Sequence, residues 1–147
     1  MHLSMVYMDV DGFSQINKKF TRQAGDRVVT IINELFEDIF HEYYSIKWGK
    51  DEFVSFLSNV SEESAEALSE TLRNNIKDYD WSSIAPQLYV TGSFGVAQLN
   101  NNERVIDWVV RTIHGSIYAK RSGGNRVETG PFVLPPNISR SLGAYVS

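Results

Sequence analysis

Two β-prone runs meet at Trp48-Gly49-Lys50-Asp51-Glu52-Phe53, and that junction constrains the fold more than any other stretch. Tyr43, Tyr44 and Ile46 lie before it, and Val54, Phe56 and Leu57 after it. Short β-prone runs on either side of a Gly-containing turn predict a β-hairpin. Asp51 and Glu52 then sit at its tip, beside a strand that the pattern buries. An unpaired charge in such a place is costly. A divalent cation relieves that cost, because hard cations take oxygen ligands.

A second acidic turn lies near the N-terminus. The apolar run Leu3-Ser4-Met5-Val6-Tyr7-Met8 ends abruptly in Asp9-Val10-Asp11-Gly12. A buried strand that delivers acids from its C-terminal end is where open α/β sheets place ligand chemistry. Asp9 and Asp51 are therefore expected to face each other from neighbouring strands and share a metal. The plainer alternative makes Asp9 and Asp11 caps of the next helix and Asp51 a turn residue. For Asp11 the capping reading is preferred; for Asp9 and Asp51 together, the metal.

Composition narrows the function classes. The chain has 147 residues, enough for one domain with a real core. Its net charge is −4 with no basic run, which argues against broad non-specific nucleic-acid binding. Cysteine is absent, so disulfides, thiolate metal sites and cysteine nucleophiles are excluded. No stretch approaches the roughly 20 apolar residues of a membrane span. Asp9 and Asp11 also break the opening apolar run that a signal peptide would need. The expected location is the cytoplasm, without membrane insertion.

Along the chain, residues 12–20 predict a short helix with Phe13, Ile16 and Phe20 on one face. Its N-terminus would present free N–H groups to a phosphate. Residues 21–25 read as a break, and Asp26 as the start of a longer helix whose buried stripe is Val28, Ile31, Ile32, Leu35, Ile39 and Phe40. After the hairpin, Ser61 caps a helix with Ala65, Leu68, Leu72 and Ile76 inward. Trp81 lies in the next loop, as a surface anchor or a packed lid. Residues 88–99 alternate as a long strand, with Gly92 and Gly95 making room for a neighbour or a bend. A last helix is expected from Glu103, with Ile106, Val109, Val110, Ile113 and Ile117 inward and Lys120 and Arg121 at its end. Val127 opens a short final strand. The order of elements predicts an α+β sandwich of ferredoxin-like or palm type, a mainly antiparallel sheet with helices on one face. Residues 1–128 form the domain, and residues 129–147 a Pro-containing C-terminal tail packed on it or extending it.

Asp9-Val10-Asp11-Gly12-Phe13, Asn17, Ala24-Gly25-Asp26 and Gly49-Lys50-Asp51-Glu52-Phe53 together resemble the GGDEF domain of diguanylate cyclases. Val90-Thr91-Gly92-Ser93-Phe94-Gly95-Val96-Ala97 fits as well, as does Ala119-Lys120 followed by Gly123, Asn125, Arg126 and Val127. The match is ordered over residues 3–128. The chain is identified as a member of the GGDEF and CRISPR-polymerase palm superfamily. That resemblance implies two Mg²⁺ or Mn²⁺ ions per site, held by Asp9, Asp51, the Val10 carbonyl and Glu52, with Glu52 a ligand or catalytic group. It implies that the Gly12 and Phe13 amides hold phosphate and that Asn17 and Asp26 contact the base. Lys120 would neutralise the triphosphate, and Gly49 and Lys50 would border the nucleotide. The implied catalytic set is Asp51, Glu52 and Lys120.

Departures from the family pattern bear on what is made. Lys50 replaces the second glycine of the hairpin, where a positive φ in a non-glycine residue costs about 1 kcal/mol or more and the turn is expected to be reshaped. Ser14 stands where cyclases carry a phosphate-binding lysine, and Gly124 where they carry an arginine. Phe40 and Tyr43 occupy the positions of the product-inhibition Arg and Asp, so that feedback is expected to be absent. A palm that begins at its first strand also resembles the minimal CRISPR polymerases. That likeness implies a metal-dependent nucleotidyltransferase joining ATP, GTP or both into a cyclic di- or oligonucleotide for anti-phage defence. The implied partners are a second copy of the chain and a separate effector that senses the product, with no nucleic acid required. The alternatives are an atypical diguanylate cyclase making cyclic di-GMP from GTP, a degenerate module that binds nucleotide without turnover, and a structural or protein-interaction domain. The intact acids favour an enzyme.

Overall fold

A computed structural model describes residues 1–130. Its centre is β1 (Leu3–Val10), whose neighbours are β3 (Glu52–Ser58) and β4 (Gly92–Gln98), both antiparallel to it. The antiparallel edge strand β2 (Tyr44–Lys47) completes the hairpin, and β5 (Arg126–Glu128) lies parallel to β4. The five-stranded order is β2-β3-β1-β4-β5. The α+β, mainly antiparallel class is as expected.

The helices, however, cover both faces rather than one. Helices α1 (Phe13–Lys19), α2 (Arg22–Phe40) and α3 (Glu62–Asp78) share a core with Val6, Met8 and Val10 of β1. Helix α4 (Val105–Arg121) packs with Met5 and Tyr7 on the opposite face. The reason is written in β1, whose successive residues are apolar at both parities. A strand without a polar face must be covered twice.

Several boundaries differ from expectation for local reasons. Helix α2 starts at Arg22 instead of Asp26, because the Thr21 hydroxyl accepts from the Ala24 N–H at 2.9 Å and caps it there. Gly25, which reads as a breaker, is needed inside the helix because a Cβ there would overlap the Asn17 side chain of α1. Strand β4 is shorter than residues 88–99, although Leu88 and Val90 are still buried. Helix α4 buries Ile113 and packs Val109, Val110 and Ile117 against the core as expected, but Trp108, Thr112, Ser116 and Ala119 form the centre of its inward face and Ile106 is exposed. Trp108 sets this register by donating its indole N–H to the Ala97 carbonyl at 2.8 Å. Trp81 belongs to the core, and its indole N–H donates to the Ile76 carbonyl at 2.7 Å.

The hairpin needs no reshaping to accept Lys50. None of residues 48–51 has a positive φ, so the connection is wide enough for ordinary backbone conformations. The expected tail falls on residues 131–147, outside the described residues, apart from Thr129 and Gly130. Among the described residues no helix is long and apolar enough to cross a membrane.

Gly95 is where sheet and α4 touch most closely. A Cβ there would overlap the Thr112 carbonyl oxygen and approach the Ser116 nitrogen to 2.7 Å. Both are backbone atoms that cannot swing aside. Gly95→Val should therefore lower the unfolding free energy by about 1–3 kcal/mol or more, read by urea titration. An unchanged midpoint and slope would contradict this packing.

Candidate active site

The register of β1 against β3 places the acids together. Asp9 lies opposite Glu52, and the Val10 N–H donates to the Asp51 carbonyl at 3.1 Å. Asp9 shares its strand face with Met5 and Tyr7, the face covered by α4. The last turn of α4 brings Lys120 to the same point, where the helix dipole also favours a cation. The Lys120 ammonium lies 3.1 Å from the Val10 carbonyl oxygen, 3.3 Å from Asp11 Oδ1 and 3.4 Å from Asp9 Oδ1.

Charge crowding is severe there. Burial pushes the Asp9 carboxyl from 3.8 up to about 7; Lys120 opposes the shift and Asp51 adds to it. Asp9, Asp51 and the Val10 carbonyl offer only oxygen donors, and Asp51 adds to the cost of ionising Asp9 that burial imposes and Lys120 only partly offsets. That donor set fits Mg²⁺ or Mn²⁺. Glu52, opposite Asp9, has a partner of its own. It is 9% exposed, its carboxylate accepts from the Tyr7 hydroxyl, and it packs so closely on Gly49 that no Cβ fits there. Burial raises its pKa, with Lys120 opposing. Among the described residues no cluster of three or more acidic or imidazole ligands forms. Of the residues expected to hold a metal, Asp9, the Val10 carbonyl and Asp51 are brought together, and the Glu52 carboxylate accepts from Tyr7.

The remaining expected residues fall into two groups. At the α1 N-terminus, Gly12 adopts φ +61° and no side chain caps the first amides, so those near Phe13 stay open to an anion. At the α1–α2 junction the Asn17 carbonyl oxygen is buried without a partner among the described residues, beside Gly25 and one residue from the exposed Asp26. A buried acceptor without a donor invites a ligand N–H. Lys50 and Ser14 are exposed, and Phe40 is core.

Asp11 does not cap α1. Its carboxylate accepts from the Thr91 hydroxyl at 2.7 Å, the Ser93 hydroxyl at 2.6 Å and the Asn125 N–H at 2.8 Å. Sequence reading missed this set, and missed Tyr7 as the partner of Glu52. The available signal was Ser93, a hydroxyl in an otherwise apolar strand, which must find a polar partner once buried.

The family model described as "Diguanylate cyclase, GGDEF domain" matches residues 1–126. The chain belongs to the GGDEF family. A diguanylate cyclase of Vibrio cholerae is 29% identical over 126 residues, covering 84% of this chain and 39% of that protein. Diguanylate cyclase DgcP of Pseudomonas aeruginosa is 32% identical over 127 residues, which are 86% of this chain and 19% of that protein. Among solved structures, the active GGEEF domain of a Vibrio cholerae diguanylate cyclase superposes with a TM-score of 0.83 at 25% identity. It covers 90% of this chain and 85% of that one. The GGDEF chain described here thus spans less than half the length of these curated relatives.

Titration of Asp9 gives a test of the geometry. Its folded pKa lies above its ordinary value, so the folded state keeps a proton that the unfolded chain has lost between pH 3.8 and about 7. The associated stability is complete below the lower value and is lost as pH rises through the upper one. Asp9→Asn removes that dependence. The variant should match wild type near pH 4 and become progressively the more stable of the two by pH 8 in metal-free buffer. A stability difference that does not change with pH would contradict the crowding.

Proposed function

We propose that this chain is a metal-dependent nucleotide cyclase of the diguanylate cyclase type, joining two GTP molecules into a cyclic dinucleotide with release of pyrophosphate. The observation that carries the proposal is the Asp9–Asp51 pair beside the Val10 carbonyl and Lys120, within a GGDEF domain. Mg²⁺ or Mn²⁺ bound to Asp9, Asp51 and Val10 would make the attacking hydroxyl more acidic and steady the leaving pyrophosphate. The chain's own groups do the rest. The open amides at Gly12 and Phe13 and the Lys120 ammonium hold the phosphates. Asn17 and Asp26 take the base, and an acceptor paired with a carboxylate suits the donor edge of guanine. Glu52, kept in place by Tyr7, supports the hairpin that presents Asp51.

Each chain carries one such site and the product joins two nucleotides, so two copies must meet during the reaction. The family model and the relatives favour the diguanylate cyclase branch and GTP. They lend no support to the minimal CRISPR polymerase reading, its adenine-containing product or its role in defence. The thinned phosphate ligands at Ser14 and Gly124 sustain one competing reading, a module that binds nucleotide without turning it over.

Mass spectrometry of the protein incubated with Mg²⁺ or Mn²⁺ and each triphosphate, alone and in pairs, separates the two. Cyclic di-GMP and pyrophosphate should appear with GTP and fall at least about 100-fold in Asp51→Ala, the scale of losing a main transition-state contact. GTP that is bound but unreacted in every tube would favour the binding module.

A further inference from the structure

We infer that Asp11 is a positioning residue that sets the Lys120 ammonium for the triphosphate; this rests on the nucleotide-binding reading above. Its four bonds reach three separate elements. Oδ2 accepts from Thr91 and from the Asn125 N–H, and Oδ1 accepts from Ser93 and from Lys120. The strand, the helix end and the turn after it therefore meet on one carboxylate.

That turn is held in place from outside as well. Gly123, Gly124 and Asn125 have φ of +115°, +73° and +50°, a run that an ordinary peptide does not keep unaided. The Asn125 side-chain oxygen accepts from Arg73 Nη1 at 3.0 Å, and Arg73 is fixed on α3 by Glu70 at 2.9 Å. Gly124 packs directly on the acid, since a Cβ there would lie 2.9 Å from Asp11 Oδ2. With no cationic side chain at position 124 or 14, Lys120 is the cation in contact with Asp9, Asp11 and the Val10 carbonyl that can meet a triphosphate. A lysine ammonium on a flexible stem has many orientations to lose. Asp11, with the Val10 carbonyl and Asp9, restricts that freedom before the nucleotide arrives, which is how preorganisation raises affinity.

Calorimetric GTP affinities of wild type, Asp11→Asn, Lys120→Met and the double variant test this. Asp11→Asn should weaken GTP binding about tenfold, the scale of one lost charged hydrogen bond, and add nothing in the Lys120→Met background. Losses that simply add would overturn the inference, as would unaltered binding in Asp11→Asn. A merely structural role predicts additivity. Ser93→Ala keeps the acid and removes one of its anchors, so it serves if Asp11→Asn does not fold. It should cost a few-fold in GTP affinity, again only while Lys120 is present. Lys120 side-chain NMR relaxation gives a readout free of nucleotide: ordered in wild type, measurably more mobile in Asp11→Asn. Equal mobility in both would overturn the inference. Wild type that binds no GTP at all would instead remove the nucleotide reading, and the inference with it.

Discussion

Like charges brought together at one end of a buried strand are the constraint on which this fold depends. Asp9 and Asp51 meet where β1 leaves the sheet, and Lys120 is the ammonium in contact with Asp9 and with Asp11 two residues on. Such a cluster survives only if the surroundings hold it against repulsion. The double-faced burial of β1 fixes the strand that carries Asp9 and ends just before Asp11. The close approach of α4 to Gly95 sets the depth at which Lys120 arrives. Hydroxyls and a backbone amide gathered on Asp11 satisfy that acid without a metal.

The division of labour among the acids follows from their neighbours. Asp9 is partly buried beside Asp51 and has little but Lys120 to stabilise its charge, so it is poised for a cation. Asp11 is saturated with donors and is already satisfied. Glu52 lies opposite Asp9 across the ladder but is drawn to Tyr7, a hydroxyl placed in an apolar strand at the right parity. Residues adjacent in sequence are thereby given different work.

Much of this was legible because it is local. The acid-bearing strand end and the hairpin announce themselves through an apolar run broken by carboxylates and a glycine. The α3 stripe and its Ser61 cap follow helical spacing, and the cap accepts from the Ser64 N–H as expected. Errors arose where tertiary contact overrode local signal. Gly25 reads as a break, yet it is the gap that Asn17 occupies. Ile106 fits an apolar stripe, yet Trp108 wins the inward position through its bond to Ala97. Asp11 reads as a cap because its partners Thr91, Ser93 and Asn125 lie 80, 82 and 114 positions away. No spacing rule reaches that far.

The most direct test of the account is where a metal sits. Crystals grown with Mn²⁺ and a GTP analogue that cannot react would show the ion in an anomalous difference map. The account predicts a peak between the Asp9 and Asp51 carboxylates, next to the Val10 carbonyl, with Asp11 still bonded to Thr91, Ser93 and Asn125. A bound nucleotide with no ion there, or an ion held by Asp11 while Asp9 and Asp51 stay bare, would contradict it.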